Sequence, residues 1–257
     1  MKVIILAGGM PSTLTDEREK LPKPMVNIGG KPILWHIMKK YAAQGFREFI
    51  ICAGYKIDMI KDYFKDFYIY QSDITVDLRT NTIKIHRNVS EDWKVTVVDT
   101  GLYSATAQRV SLVEKYTDGD SCIVTYGDCL DNIDIKDVAA YHRSHGKLAT
   151  MVAARPSGRH ALLAMDREGN YLGMRRDISR EAWTNTGTYI LEKSAFNFLT
   201  GNYSLEEQFL ERLVERRQID TYCHEGFWSP VETKRDFEQM QNLWNAGAAP
   251  WKLWQEG

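Results

Sequence analysis

The chain opens with an apolar run that stops at a glycine pair, Met1-Lys2-Val3-Ile4-Ile5-Leu6-Ala7-Gly8-Gly9. A run this short and this apolar reads as a buried strand emptying into a loop. The pattern returns in Phe49-Ile50-Ile51-Cys52-Ala53-Gly54 and in Ser121-Cys122-Ile123-Val124-Thr125-Tyr126-Gly127. Helical patterns fill the intervals, over 31–44, 56–67, 108–116 and 135–145. Pro32 suits the first turn of the helix at 31–44, and Gly45 ends it. Buried strands that alternate with helices form right-handed βαβ units, because a parallel neighbour is reached only by a long crossover. The sequence therefore predicts an α/β fold with a mixed, mostly parallel sheet, and ligands bind such sheets at the carboxyl ends of their strands.

The alternation breaks between 68 and 99. Ile74-Thr75-Val76-Asp77-Leu78 and Thr82-Ile83-Lys84-Ile85-His86 alternate apolar and polar residues, with a hairpin turn expected near Asn81-Thr82, and Trp93–Asp99 reads as a further strand. This stretch is expected to be a small antiparallel β insertion. Further strands are expected at 148–154, 188–191 and 220–224, a β-meander at 161–176 with a turn at 167–170, and helices at 205–216 and 236–246. The aromatic tail, 247–257, contains Trp251 and Trp254 and is expected to dock on the surface or on another subunit. With no linker or repeat in view, 1–257 reads as a single domain.

A net charge of −1 gives no general attraction to nucleic acid or to an anionic membrane, so neither is an expected partner and any anion site must be local. No apolar run approaches the roughly 20 residues that span a bilayer, and the N-terminus lacks a signal-peptide pattern. A cytoplasmic location is the default. Cys52, Cys122, Cys129 and Cys223 form no CxxC. Cys52 and Cys122 read as reduced core residues. His142 and His145, three apart on a helix, read as a solvated polar face. Trp35, Trp93 and Trp228 could stack on a base or sugar, but core or subunit contacts are the favoured reading.

Two constellations carry chemistry. Gly8 and Gly9 allow a phosphate to approach the backbone, and Lys23, held between Pro22 and Pro24, offers a fixed positive charge for a triphosphate. A strand-to-loop turn beside a prolyl segment is the plain alternative. Gly127-Asp128 ends a buried strand, where a carboxylate is placed to hold Mg²⁺ bridging phosphate oxygens. Candidates for a second carboxylate are Asp131, Asp134 and Glu232. A turn or helix-capping aspartate is the alternative for Asp128.

These residues resemble a family. Leu6-Ala7-Gly8-Gly9, Leu21-Pro22-Lys23-Pro24-Met25, Ile28-Gly29-Gly30-Lys31-Pro32, Val98-Asp99-Thr100-Gly101, Thr125-Tyr126-Gly127-Asp128, Gly226-Phe227-Trp228-Ser229-Pro230 and Ala249-Pro250-Trp251-Lys252-Leu253-Trp254 look like the sugar-1-phosphate nucleotidyltransferases, most of all the branch that uses CTP and glucose 1-phosphate. The resemblance covers essentially the whole chain. It implies a Rossmann-like GT-A nucleotidyltransferase fold, Mg²⁺ as cofactor, a nucleoside triphosphate (CTP foremost) and a phosphorylated sugar as ligands, and a homo-oligomer. It implies that Leu6, Ala7, Gly8, Gly9, Lys23 and Arg109 bind nucleotide. Lys23 and Asp128 would be catalytic, with Asp128 and Glu232 on the metal. Asn185, Gly187, Arg175 and Arg176 would serve the sugar phosphate.

The departures from the family pattern cluster at these positions. Where the family continues its glycine loop with Gly-Thr-Arg-Leu, this chain has Pro11-Ser12-Thr13-Leu14. Proline removes an amide donor, and Thr13 stands where the family has a triphosphate-clamping arginine. The family's Gly-Gly-Arg is Ala107-Gln108-Arg109, its Gly-Asp-Gly is Gly127-Asp128-Cys129, and its Glu-Lys-Pro segment reads Met174-Arg175-Arg176-Asp177-Ile178. Two outcomes follow: a nucleotidyltransferase with a retuned site, in which Arg18, Arg175 or Arg176 restores positive charge, or a nucleotide-binding homologue whose catalysis is impaired.

Overall fold

The computed structural model describes residues 1–9, 21–86, 91–155, 162–165, 171–175 and 183–255. In chain order, β1 (Val3–Leu6) is followed by a 3-10 turn (Lys23–Met25), the short pair β2 (Asn27–Ile28) and β3 (Lys31–Pro32), and α1 (Ile33–Ala43). Next come β4 (Glu48–Ala53), α2 (Ile57–Lys65), α3 (Phe67–Tyr70), β5 (Ile74–Asp77), β6 (Thr82–Ile85), β7 (Lys94–Asp99) and α4 (Thr106–Leu112). The chain continues through β8 (Ser121–Tyr126), β9 (Cys129–Asp131), α5 (Ile135–His145), β10 (Ala149–Ala154), β11 (Leu162–Met165), β12 (Tyr171–Arg175) and β13 (Thr184–Glu192). A wide π-type turn (Leu205–Phe209) runs into α6 (Leu210–Glu215), followed by β14 (Ile219–His224), β15 (Trp228–Pro230) and α7 (Lys234–Asn245).

Among the described residues, seven strands form the main sheet in the order β14-β10-β13-β8-β1-β4-β7. All share one direction except β13, which runs antiparallel to both of its neighbours. The expected mixed, mostly parallel sheet is therefore present. Side chains alternate across it and divide the core in two. Val3, Ile5, Phe49 and Ile51 pack with α1, α5 and α7, whereas Ile4, Leu6, Ile50 and Cys52 pack with α4, α6 and Phe209.

Three expectations are corrected. The insertion is shorter than 68–99: β5 and β6 form the antiparallel hairpin, but β7 joins the main sheet as a parallel partner of β4. Alternation within a strand reveals its two faces, not its partner, so the sequence could not tell these cases apart. The hairpin leaves Ile74, Val76, Leu78, Ile83 and Ile85 exposed. The helix read at 31–44 starts later, because Lys31-Pro32 pair with Asn27-Ile28 across a turn at Gly29 and Gly30, whose φ values of 59° and 80° suit glycine. His142 is buried rather than solvated: Nδ1 lies 2.7 Å from Thr150 Oγ1 and Nε2 2.9 Å from Glu192 Oε1.

The tail docks on its own chain. Trp251 is fully buried, and its Nε1 donates to His36 Nδ1 on α1 at 3.4 Å. Trp35, Trp244 and Trp254 close around the same imidazole, and Trp93 meets Trp35. Packed this way, α1 buries even a lysine, Lys40, whose ammonium meets both Asp131 oxygens at 2.7 and 2.8 Å. The expected turn at 167–170, like Pro11, Thr13 and Arg18, lies outside the described residues.

Candidate functional site

The carboxyl ends of β1 and β8 lie side by side and define a pocket of about 340 Å³. Leu6, Ala7, Gly8 and Gly9 form one wall, and Tyr126 and Asp128 another. The Gly127 amide donates to Leu6 O at 3.0 Å, which locks the second strand end to the first. A Cβ on Gly127 would meet that carbonyl and the Pro24 ring, so glycine lets the Lys23 segment close over the strand ends. Lys23 sits in the 3-10 turn with Pro24 buried behind it, and its Nζ faces Asp128 Oδ2 at 3.5 Å. Ser104, Ala105 and Thr106, at the start of α4, complete the lining.

The two loop glycines do different work. A Cβ on Gly9 would meet nothing within 4 Å, so this residue leaves open space toward the pocket. A Cβ on Gly8 would overlap the Arg109 guanidinium. Arg109 lies on the pocket wall, but both of its Nη groups donate to the protein. Nη2 donates to Gly8 O at 2.8 Å and Leu102 O at 3.2 Å, while Nη1 donates to Thr100 Oγ1 at 2.7 Å and Gly101 O at 2.8 Å. Only 4% exposed, Arg109 rivets the glycine loop to the 100–102 turn. The geometry makes it a support of the nucleotide loop more than a ligand contact.

Of the carboxylates, Asp128 lines the pocket, and the pairing of β9 with β15, where Pro230 faces Cys129 and the Val231 amide donates to Asp128 O at 2.8 Å, brings the backbone next to Glu232 toward it. Asp131 and Asp134 do not join them. Asp131 is the buried partner of Lys40, and Asp134 caps α5, accepting the Lys136 and Asp137 amides at 2.8 and 3.3 Å. Two carboxylates of hard oxygen donors fit Mg²⁺, which is held by one or two side chains plus phosphate oxygens and water. Among the described residues no group of three or more His, Cys, Asp or Glu side chains that could hold a metal ion occurs. Cys129, between these acids, is buried, and burial first and Asp128 second push its thiol well above the usual range, so it is not a nucleophile.

The sugar-side candidates lie one strand over. Gly187 has φ 77°, and a Cβ there would overlap the Tyr126 ring, so the strand pair is shaped around that tyrosine. Asn185 accepts the Gly187 amide at 2.9 Å and donates to Tyr189 Oη and to Glu206 Oε1, the latter at 3.3 Å. Tyr126 Oη also donates to Glu206 Oε1. Burial, then Tyr189 and Glu206, push the Tyr126 phenol far above its ordinary value; burial and Glu206 do the same to Tyr189, and both stay donors. Arg175 is in register with Leu162 on the β11–β12 pair, and Arg176 lies outside the described residues. Trp228 is held by a bond from Nε1 to Thr186 O at 3.1 Å.

Sequence reasoning missed Tyr126 and Thr106 as lining residues, and Glu206 as the acid that the Tyr126 hydroxyl meets. Tyr126 read as the last strand residue and Glu206 as one charge among several on a helix. The position of Tyr126, two residues before Asp128, was the available signal for the first. No local signal pointed to Glu206.

Comparison with known proteins gives a consistent result. Residues 2–246 match the nucleotidyl transferase family model. The chain is 40% identical over 258 residues to the glucose-1-phosphate cytidylyltransferase of Salmonella typhimurium, covering 99% of this chain and 100% of the relative. Among solved structures, HddC from Yersinia pseudotuberculosis complexed with GMP-PN aligns with a TM-score of 0.68 at 21% identity, covering 95% of this chain and 99% of that one. UDP-glucose pyrophosphorylase complexed with UDP-glucose aligns with a TM-score of 0.68 at 14% identity, covering 96% and 98%.

Proposed function

The chain belongs to the nucleotidyl transferase family, and from that premise we propose that it transfers CMP from CTP to a sugar 1-phosphate, glucose 1-phosphate first, with release of pyrophosphate. The observation that carries this reading is the meeting of Lys23 and Asp128, 3.5 Å apart, in the pocket that Gly8 and Gly9 line. A phosphate oxygen of the sugar phosphate attacks the α-phosphorus of CTP. The bond from that phosphorus to the bridging oxygen breaks, and pyrophosphate leaves with the electron pair. Little covalent work falls to the protein, so rate comes from alignment and from charge placed where it develops. Gly8 and Gly9 seat the triphosphate against the end of β1, and Lys23 neutralises oxygens around the reacting phosphorus. Asp128 and Glu232 would hold Mg²⁺, which supplies charge neutralisation across the phosphates when bound. Asn185 and Gly187 shape the sugar side, and Arg175 and Arg176 are the arginines that the family resemblance assigns to the anionic acceptor.

One observation favours a second reading, a homologue that binds nucleotide with little turnover. Among the described residues lining the pocket, Arg109 has its guanidinium committed to the backbone and Lys23 is already beside Asp128, while position 13 carries threonine. Incubating the protein with Mg²⁺, each of the four nucleoside triphosphates and glucose 1-phosphate, then weighing products by mass spectrometry, separates the two. A CDP-sugar with equimolar pyrophosphate supports transfer. CTP-dependent thermal stabilisation without product supports the second reading.

The wider setting belongs to the same proposal. Four free cysteines suit the reducing cytoplasm. Among the described residues no helix is long and apolar enough to cross a membrane. The exposed apolar hairpin, rather than the aromatic tail, supports a homo-oligomer.

A further inference from the structure

Glu206 stands out because it is exposed and yet fixed from three sides. Its Oε1 accepts from Tyr126 Oη, from Tyr189 Oη at 3.2 Å and from Asn185 Nδ2 at 3.3 Å. No described residue donates to Oε2. An exposed glutamate on a helix ordinarily samples many rotamers and costs entropy to order. Here buried tyrosine hydroxyls have already met that cost. The acid sits on the wide turn Leu205–Phe209, where Glu207 departs from helical geometry (φ −82°, ψ −107°). The neighbouring Leu205 amide donates to Thr106 Oγ1 at 2.8 Å, and Thr106 and Tyr126 both line the nucleotide pocket. Glu206 is not itself among the lining residues; its carboxylate is joined to the pocket through the Tyr126 hydroxyl, on the side where Asn185 lies.

This arrangement changes the role of Asn185. Its carbonyl oxygen takes the Gly187 amide and its amino group is shared between Tyr189 and Glu206. Its polar atoms hold the site together, and the acceptor atom left open is Glu206 Oε2. A metal is a poor occupant, since the groups around Glu206 are hydroxyl and amide donors with no second acid among them. A neutral hydroxyl is a good one, because a carboxylate oxygen accepts it in a charge-assisted bond.

We infer that Glu206 is a specificity-determining residue that receives a sugar hydroxyl on Oε2, selecting neutral polyhydroxylated sugar 1-phosphates over those bearing a carboxylate, with Asn185, Tyr126 and Tyr189 as its positioning residues. The inference rests on the transfer reading above. An added acid on the sugar would face a fixed negative charge, which is a built-in rejection.

The test compares the intact protein with Glu206→Gln and Glu206→Asp by steady-state kinetics with CTP and Mg²⁺. The acceptors are glucose 1-phosphate, its 2-, 3-, 4- and 6-deoxy forms, and glucuronic acid 1-phosphate. In the unmodified protein one deoxy form should lose about 10-fold or more in kcat/KM, the weight of one charged hydrogen bond. Glu206→Gln should lower kcat/KM for glucose 1-phosphate by about 10- to 100-fold, erase the penalty on that one deoxy form and relax the rejection of the glucuronate. The KM for CTP should stay within about two-fold, since Glu206 serves the acceptor side. Glu206→Asp keeps the charge on a shorter arm and should fall between the two. An equal CTP-induced rise in melting temperature in all three proteins shows that each is folded. A uniform loss across parent and deoxy acceptors, or an unchanged acceptor KM, overturns the inference while leaving transfer intact. If the unmodified protein forms no product at all, the transfer reading fails and this inference with it.

Discussion

Arg109→Met asks whether this arginine binds nucleotide, as the family resemblance implies, or holds the loop that does. Methionine keeps the buried stem and removes the guanidinium. Two of the acceptors it abandons, Gly8 O and Thr100 Oγ1, are buried, while Gly101 O and Leu102 O are partly buried and open to replacement by water. A buried acceptor left without a donor costs about 1–3 kcal/mol, so the two together put the loss near 4 kcal/mol. For a chain of this size that is about 8–16 °C in melting temperature. The assay is urea unfolding with and without CTP. The expected result is a large fall in stability without ligand, with a weaker response to CTP as a secondary effect of a loosened loop. A variant within about 1 kcal/mol of the parent in the absence of ligand that has nonetheless lost CTP binding would refute the reasoning, because it would make Arg109 a ligand contact whose hydrogen bonds to the backbone matter little.

Other consequences follow from the same structure. Lys40→Met should destabilise by about 3–5 kcal/mol in urea unfolding by stranding Asp131 in the core, and adding Asp131→Leu should recover most of the loss. Burial lowers the His36 pKa to about 4 against the pull of Ile28 O, so stability should be full above pH 6.5 and fall by about 3 kcal/mol as pH drops toward 4. His36→Gln, whose amide can still reach Ile28 O, should show a flatter melting profile over that window. Gly8→Ala should cost several degrees of melting temperature because its methyl overlaps Arg109, whereas Gly9→Ala, with open space, should leave the melting temperature within about 2 °C yet weaken CTP stabilisation.

Much of the fold was legible because it is written in short-range patterns. The buried runs ending at Leu6, Ala53 and Tyr126 identified strands that lie side by side in the parallel sheet, and Lys23 and Asp128 were found from their places after a strand and between prolines. What failed to show was partnership over long distances. Nothing near Lys94–Asp99 says that it pairs with Glu48–Ala53. Nothing near Asp131 says that Lys40, 91 residues earlier, neutralises it, so it looked like a free metal ligand. Arg109 and Gly8 are 101 residues apart, and a glycine that makes room for a guanidinium resembles a glycine that makes room for phosphate. Glu206 was illegible for a related reason: its three donors come from two strands, 80, 21 and 17 residues away in sequence. The tail was read as a docking segment without a docking site, since the imidazole that receives Trp251 lies 215 residues before it.

The central claim, that Lys23 and Asp128 flank the reacting phosphorus of CTP, is tested most directly by pyrophosphate release from CTP, Mg²⁺ and glucose 1-phosphate in the unmodified protein and in Asp128→Asn. Asparagine keeps the shape and the neighbour Lys23 but removes the charge that would hold the metal. The account predicts steady release by the parent and a fall of at least about 100-fold in kcat for Asp128→Asn, with the melting temperature retained. Release that continues unchanged in Asp128→Asn, or a folded parent protein that binds CTP and releases none, would contradict it.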